Sequence, residues 1–271
     1  MKSFLFTVVF IFHHLSIAQI QETQTMAECL NRASQESSNL SSRDVFYVFD
    51  IDNTVLALNQ NLGSVQWFRW QQKLIQVGLH QHTVATTIEE LLDKQLLLYQ
   101  MIPAHTPEPE IPDLLKDLQI KGHSVVYHTS RNTDVRDITE RELTKNRLLP
   151  LIKTIGPDRG YPGKMTFQNG PQDQRPVSFQ NGVYISAGQD KGVFLKLLFE
   201  KTSFMPRHLV FVDDELKNLQ NIERAFKGTI PMTLCRYGSM DQTVEKFQNS
   251  DKQQEIDLWK KIEIILHQLA G

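Results

Sequence analysis

Cysteine is scarce in this chain: Cys29 and Cys235 are the two it has in 271 residues. Without a neighbouring histidine spacing, two thiols make no zinc site. They lie far apart in sequence, so two readings stay open: a disulfide in an oxidising compartment, or two separate buried thiols. An excess of one charge is lacking too. Lys and Arg total 29 against 31 Asp and Glu, a net −2, which excludes the basic field that nucleic acid or an acidic membrane surface would need. The nine histidines show no metal-ligand spacing; His123 and His128 flank a strand and read as packing residues. Internal repeats and long low-complexity tracts are absent. With 40% hydrophobic and 22% charged residues, the composition is that of a globular protein.

Apolar runs are short, with one exception at the N-terminus. The stretch MKSFLFTVVFIFHHLSIAQIQ has one basic residue, Lys2, then an apolar run, then small residues at Ser16 and Ala18. This is the layout of a secretory signal peptide with cleavage after Ala18. An uncleaved anchor is the alternative, and His13-His14 argue against it by breaking the run before the ~20 residues a span needs. Glu28 precedes Cys29, where a lipoprotein signal would need a small residue. The expectation is an exported protein, periplasmic or secreted, with no stable membrane association after cleavage.

Strand and helix signals alternate along the rest. Val45–Phe49, Ser124–Tyr127 and His208–Val212 are continuously apolar strands. Leu151–Ile155 and Ile230–Cys235 read as further strands. Val177–Gln180 and Val183–Ser186, joined by Asn181-Gly182, carry a hairpin signal. Helices are expected over Met26–Ala33, Val65–Val77, Val84–Tyr99, Pro112–Gln119, Asp134–Leu148, Lys191–Lys201, Asn218–Phe226 and Ile256–Leu269. Residues 19–43 are otherwise polar, and 156–175 read as a loop. Unalternating strands between helices predict a parallel sheet covered on both faces, and ligands of such sheets bind beyond the carboxyl ends of the strands.

The polar residues fall at those ends. VFYVF is followed by Asp50-Ile51-Asp52-Asn53-Thr54; the second strand by Thr129, Ser130 and Arg131; a third by Asp213-Asp214. Four carboxylates at one sheet edge would raise one another's pKa unless a cation lies among them. Oxygen ligands alone favour a hard ion, and Mg²⁺ takes few protein carboxylates together with a substrate phosphate. Asp50, fixed at the strand end, suits a nucleophile. Asp52, two residues on, suits an acid–base partner.

These residues resemble the motifs of the haloacid dehalogenase-like (HAD) superfamily. Asp50-Ile51-Asp52-Asn53-Thr54 is similar to its first motif and Thr129 to the second, a hydroxyl that binds the transferring phosphoryl group. Lys191, in Asp190-Lys191-Gly192, is similar to the third, which offsets phosphate and nucleophile charge; Lys153 and Lys164 are its rivals. Asp213-Asp214 is similar to the fourth, which holds Mg²⁺. The resemblance spans Val45 to Tyr237. It implies a Rossmann-like α/β core of residues 19–57 and 107–271, after a signal peptide of 1–18, with a helical cap inserted at 58–106. It further implies catalytic Asp50, Asp52, Thr129 and Lys191, substrate contacts at Thr129, Ser130, Arg131 and Lys191, and Mg²⁺ ligation by Asp50, Asp52, Asp213 and Asp214. Asn132 and Asn218 are secondary candidates.

An acid at position 52 points to phosphatases and phosphomutases, since dehalogenases usually lack one there. FDIDNTVL and the export signal look similar to secreted bacterial acid phosphatases. The TSR, NGVYIS, DKG and VDDELKN stretches look more similar to an exported bacterial HAD-like family without an assigned function. The expected activity is hydrolysis of a small phosphomonoester through an aspartyl-phosphate. A phosphotransferase or phosphomutase is the nearest alternative, and export argues against a mutase. A non-catalytic binding protein on the same scaffold is the third, opposed by competent residues at every motif position. Trp67, Phe68 and Trp70 read as cap core in preference to a platform for a substrate ring. The oligomeric state is left open.

Overall fold

The structure is a computed structural model that describes residues 19–148, 164–167 and 175–270. The expected strand at Leu151–Ile155 and the signal segment lie outside the described residues.

The chain opens with β1 (Gln21–Thr23) and α1 (Met26–Glu36), which Thr25 and Glu28 start with a reciprocal capping box. Then come β2 (Val45–Phe49), β3 (Ala57–Leu58), α2 (Val65–Gln76), α3 (Ile88–Met101) and β4 (Ala104–His105). The middle holds α4 (Ile111–Ile120), β5 (Ser124–Thr129), α5 (Arg136–Lys145), β6 (Lys164–Phe167), β7 (Val177–Gln180) and β8 (Val183–Ile185). The last part is α6 (Lys191–Lys201), β9 (His208–Asp213), α7 (Leu216–Phe226), β10 (Met232–Tyr237), α8 (Asp241–Asn249) and α9 (Gln253–Ala270).

The main sheet runs β1-β10-β9-β2-β5-β8-β7-β6. From β1 to β8 every neighbour is parallel; β8, β7 and β6 pair antiparallel. The protein is thus a mixed α/β fold with a mostly parallel central sheet flanked by helices, as its continuously apolar strands imply. Between β7 and β8, Asn181 and Gly182 both take positive φ, 52° and 74°, as a two-residue hairpin turn requires.

Each central strand buries both faces. On one face, Tyr47, Phe49, Val125, Tyr127, Val210 and Val212 pack with residues of α1 and α4. On the other, Phe46, Val48, Val126, Leu209 and Phe211 pack under α6 and α7. This alternation sets which way the strand-end residues face. Asp50 has the parity of Phe46 and Val48, and Asp213 that of Leu209 and Phe211. Both therefore end on the α6 side.

Cys29 and Cys235 form a disulfide that ties α1 to β10, their Cα atoms 6.0 Å apart. Helices α2 and α3 lie between β3 and β4, which pair with each other. Trp67 is buried there among Leu62, Leu91 and Leu98, with Phe68 and Trp70 packed alongside. The aromatic run packs into this core, as its helical spacing implies. Phe247 of α8 and Trp259 of α9 complete this cluster, so the C-terminal helices, expected with the sheet domain, pack on α2 and α3.

Several elements depart from expectation. α3 starts at Ile88, not Val84, because Thr87 caps it and Gln71 takes the Val84 N–H at 2.9 Å. Residues 164–167, expected as loop, form an edge strand against β7. β1 and α8 were not anticipated: β1 is three polar-leaning residues, too short to show a period.

Candidate functional site

The turn after β2 is built by its own short residues. Asn53 takes φ 61°, a conformation asparagine tolerates because its side chain is short and polar. The Asn53 N–H donates to the Leu56 carbonyl at 2.7 Å, and the Val55 N–H to that of Ile51 at 3.0 Å. Ile51 and Val55 are buried and anchor the turn in the core. Thr54 then joins two loops. Its hydroxyl donates to Asp50 Oδ2 at 3.2 Å and accepts the Asp214 N–H at 3.1 Å.

Three carboxylates converge here. Ligand oxygens of Asp50, Asp213 and Asp214 all lie within 4.8 Å of one another. Lys191, fully buried at the start of α6, donates to Asp50 and, at 2.7 Å, to Asp213 Oδ2. Asp190 caps that helix start, accepting the N–H groups of Gly192 and Val193, which fixes where Lys191 leaves the backbone. Asn218 donates to both Asp213 oxygens at 3.0 and 3.1 Å, and the Glu215 N–H adds a third bond at 2.8 Å. Asn218 thus supports the site directly.

The charges do not balance. Among the described residues, three carboxylates face one ammonium, an excess of two negative charges in a largely buried place if all are ionised. Burial pushes the Asp50 carboxyl up to about 7; Lys191 opposes the shift, while Asp213 and Asp52 add to it. Burial, then Asp50 and Asp213, push Asp214 well above the usual carboxylate range. Burial works against the Lys191 ammonium, but Asp213 and Asp50 outweigh it and hold the pKa above the ordinary lysine value. An all-oxygen donor set with surplus negative charge fits a hard cation. The structure thus provides a cluster of three aspartates, Asp50 and Asp213 buried and Asp214 half-buried, able to bind a metal ion.

Asp52 is not in that cluster, so among the described residues the carboxylates number three where four were expected. Its side chain turns to Arg131, which donates from Nε to Oδ2 at 2.9 Å and from Nη2 to Oδ1 at 2.7 Å. Two longer bonds reach the same oxygens, from Thr129 Oγ1 at 3.5 Å and from the Tyr99 hydroxyl at 3.4 Å. Thr129 is fully buried at the end of β5; Ser130 is exposed beside it. Of the rival lysines, Lys164 lies on the outermost strand and Lys153 lies outside the described residues. His128 packs between Tyr184 and Phe211, and burial drives its pKa well below the ordinary value. It is a packing residue.

Reading the sequence missed the partners supplied from far along the chain. Tyr99 and the Arg69–Glu215 ion pair bring α2 and α3 to the site. No local spacing signals them, because each is created by the way α2 and α3 fold back on the rest of the chain.

The fold and the site together define a mixed α/β protein with a candidate cation centre at the carboxyl edge of its sheet. The chain belongs to the family described as protein of unknown function (DUF2608), which matches residues 22–270. A search of curated proteins finds none that matches.

Proposed function

We propose that this protein is an exported, Mg²⁺-dependent phosphatase of the HAD type, hydrolysing a small phosphomonoester through an aspartyl-phosphate on Asp50. One observation carries the reading: Asp50 shares the buried Lys191 ammonium with Asp213, inside a carboxylate cluster one ammonium cannot neutralise. Such a cluster favours a divalent cation, and a cation beside a strand-end nucleophile favours a phosphate. The chain order Asp50, Thr129, Lys191, Asp213, all at one sheet edge, supports the HAD resemblance.

Asp50, Asp213 and Asp214 would hold the ion, and bound Mg²⁺ would supply positive charge for the phosphoryl oxygens. An Asp50 oxygen attacks phosphorus, forming an Asp50–O–P bond as the bond to the leaving oxygen breaks. Asp52, carrying a proton when substrate is bound, gives it to that oxygen. In the second step Asp52 takes a proton from water as the water oxygen attacks phosphorus, releasing Asp50 and inorganic phosphate. Lys191 offsets charge on Asp50 and the phosphoryl group, and Thr129 donates its hydroxyl to a phosphoryl oxygen. The α2–α3 insert serves as the cap that limits water and selects substrate. The Cys29–Cys235 disulfide supports export, because such bonds persist in oxidising compartments.

The test is phosphate release by the chain from Gln19 onward, on nucleotides, sugar phosphates and a chromogenic aryl phosphate. Release that needs both Mg²⁺ and Asp50, and is lost in Asp50→Asn, is the expected result. Release that persists in chelator or in Asp50→Asn removes the mechanism.

A further inference from the structure

We propose that Arg131 and Tyr99 form a clamp that positions Asp52, so that the insert sets the geometry of the acid–base group. The proposal rests on the phosphatase reading above.

Arg131 was expected to touch substrate. Three of its five N–H donors are committed elsewhere. Nε and Nη2 grip the two Asp52 oxygens, and Nη1 donates to the buried Thr139 hydroxyl at 2.9 Å. This side-on fork fixes both the direction and the rotation of a carboxylate, which a point charge cannot do. The guanidinium carbon lies 4.3 Å from the centre of the Tyr99 ring, and an aromatic face holds a guanidinium by cation–π attraction. The Tyr99 hydroxyl reaches Asp52 Oδ1 at 3.4 Å and accepts from Gln95 at 3.2 Å.

The clamp spans the two parts of the molecule. Tyr99 and Gln95 belong to α3, Arg131 follows β5, and Asp52 follows β2. Arg141 of α5 donates to the Tyr99 carbonyl at 3.1 Å, which pins the end of α3 to the core. Any shift of α3 removes a wall from Arg131 and one bond from Asp52. Arg131 is therefore a positioning residue acting through Asp52, and Tyr99 is the insert's contribution to the same act.

The two roles open to Arg131 separate in kinetics. A phosphate ligand binds substrate and product, so its loss raises KM and weakens inhibition by inorganic phosphate. A positioning residue lowers kcat and leaves both near wild type. The experiment compares Arg131→Gln, Arg131→Lys, Tyr99→Phe and Tyr99→Leu with wild type on an alkyl and an aryl phosphate. Inhibition by inorganic phosphate is measured beside them, and calorimetric Mn²⁺ binding serves as the control for an intact centre.

Arg131→Gln should lower kcat on the alkyl ester by about 10²-fold, the scale of one acid–base group. The aryl ester should lose less, because its leaving group needs less help from a proton. Arg131→Lys should recover only part of the loss, since lysine restores charge without the fork. Tyr99→Phe should fall less than Tyr99→Leu, which also removes the ring. Mn²⁺ and phosphate affinities should stay close to wild type. If KM and the phosphate inhibition constant rise together while kcat holds, Arg131 binds phosphate and the clamp is wrong. Unchanged kcat in all four variants also overturns it. A wild type that binds Mn²⁺ but hydrolyses neither ester overturns the phosphatase reading, and the clamp with it.

Discussion

The Lys191 ammonium donates to Asp213 Oδ2 across 2.7 Å, with neither side chain exposed to solvent. A buried pair of this kind is held by mutual need: removing one partner leaves a charge with nothing to offset it. Here the lysine serves two carboxylates, so its loss is felt twice. Lys191→Met should destabilise the metal-free protein by about 3–5 kcal/mol, the usual cost of breaking a buried pair. Saturating Mg²⁺ should restore much of that, because the ion replaces the missing positive charge. Urea unfolding of both proteins, in chelator and in Mg²⁺, checks it; a loss that Mg²⁺ does not reduce would show that the ion binds elsewhere.

Asp50 sets a pH dependence with an unusual sign. Its carboxyl is raised from 3.8 to about 7 in the folded protein, chiefly by burial. Between those values the native state keeps a proton that the unfolded chain releases. The native state thus binds more protons, and this group's contribution to stability falls as pH rises through the window, by at most about 1.4 kcal/mol per unit. In chelator, wild type should lose stability relative to Asp50→Asn between pH 5 and about 7 and then level off. Cation affinity should run the other way, tightening by up to about tenfold per unit toward pH 7 as the proton leaves. Calorimetric Mn²⁺ titrations across the range test this, and affinity independent of pH would contradict it.

The disulfide closes the edge of the sheet that carries β1. Both cysteines are fully buried among apolar side chains, and they lie 206 residues apart in sequence. Linking such distant positions restricts the unfolded chain, a gain of about 2–4 kcal/mol. The Cys29→Ala/Cys235→Ala double variant should show that loss in its denaturant midpoint, alanine being chosen to leave no buried hydroxyl. A change below about 1 kcal/mol, within the lower range of measured disulfides, would mean that α1 and β1 hold to β10 by packing alone.

How much of this was legible follows from the range of each signal. Asp50, Thr129, Lys191 and Asp213 could be found because each sits where a strand or helix begins or ends, and those boundaries are written locally. The parity rule even sets Asp50 and Asp213 on the side from which Lys191 arrives. Trp67 could be read as core from its helical setting. Asp52 could be placed but not oriented: its partner Arg131 lies 79 residues on, and nothing near Asp52 records it. Tyr99 gave no sign beyond an apolar helix position. The pairing of Cys29 with Cys235 likewise depends on β10 meeting α1, a matter of sheet order. β1 owes its strand form to pairing with β10, not to its own three residues.

Gly192 offers a test of how the lysine is held in place. An added Cβ there would lie 2.2 Å from the Asn221 carbonyl oxygen and 2.6 Å from its carbon. Both are backbone atoms of α7, so α6 and α7 would have to separate. Gly192 immediately follows Lys191 in α6, so that separation moves the ammonium away from Asp50 and Asp213. Gly192→Ala should therefore cost about 1–3 kcal/mol from overpacking, and should also weaken Mn²⁺ binding and lower turnover. Gly228 is the control: its φ is +74° but nothing lies within 4 Å of an added Cβ. Gly228→Ala should cost about 1–2 kcal/mol of backbone strain and leave Mn²⁺ affinity at the wild-type value. The two variants can thus match in stability and differ in the site. Equal Mn²⁺ affinities would mean that the centre does not depend on the close approach of α6 to α7.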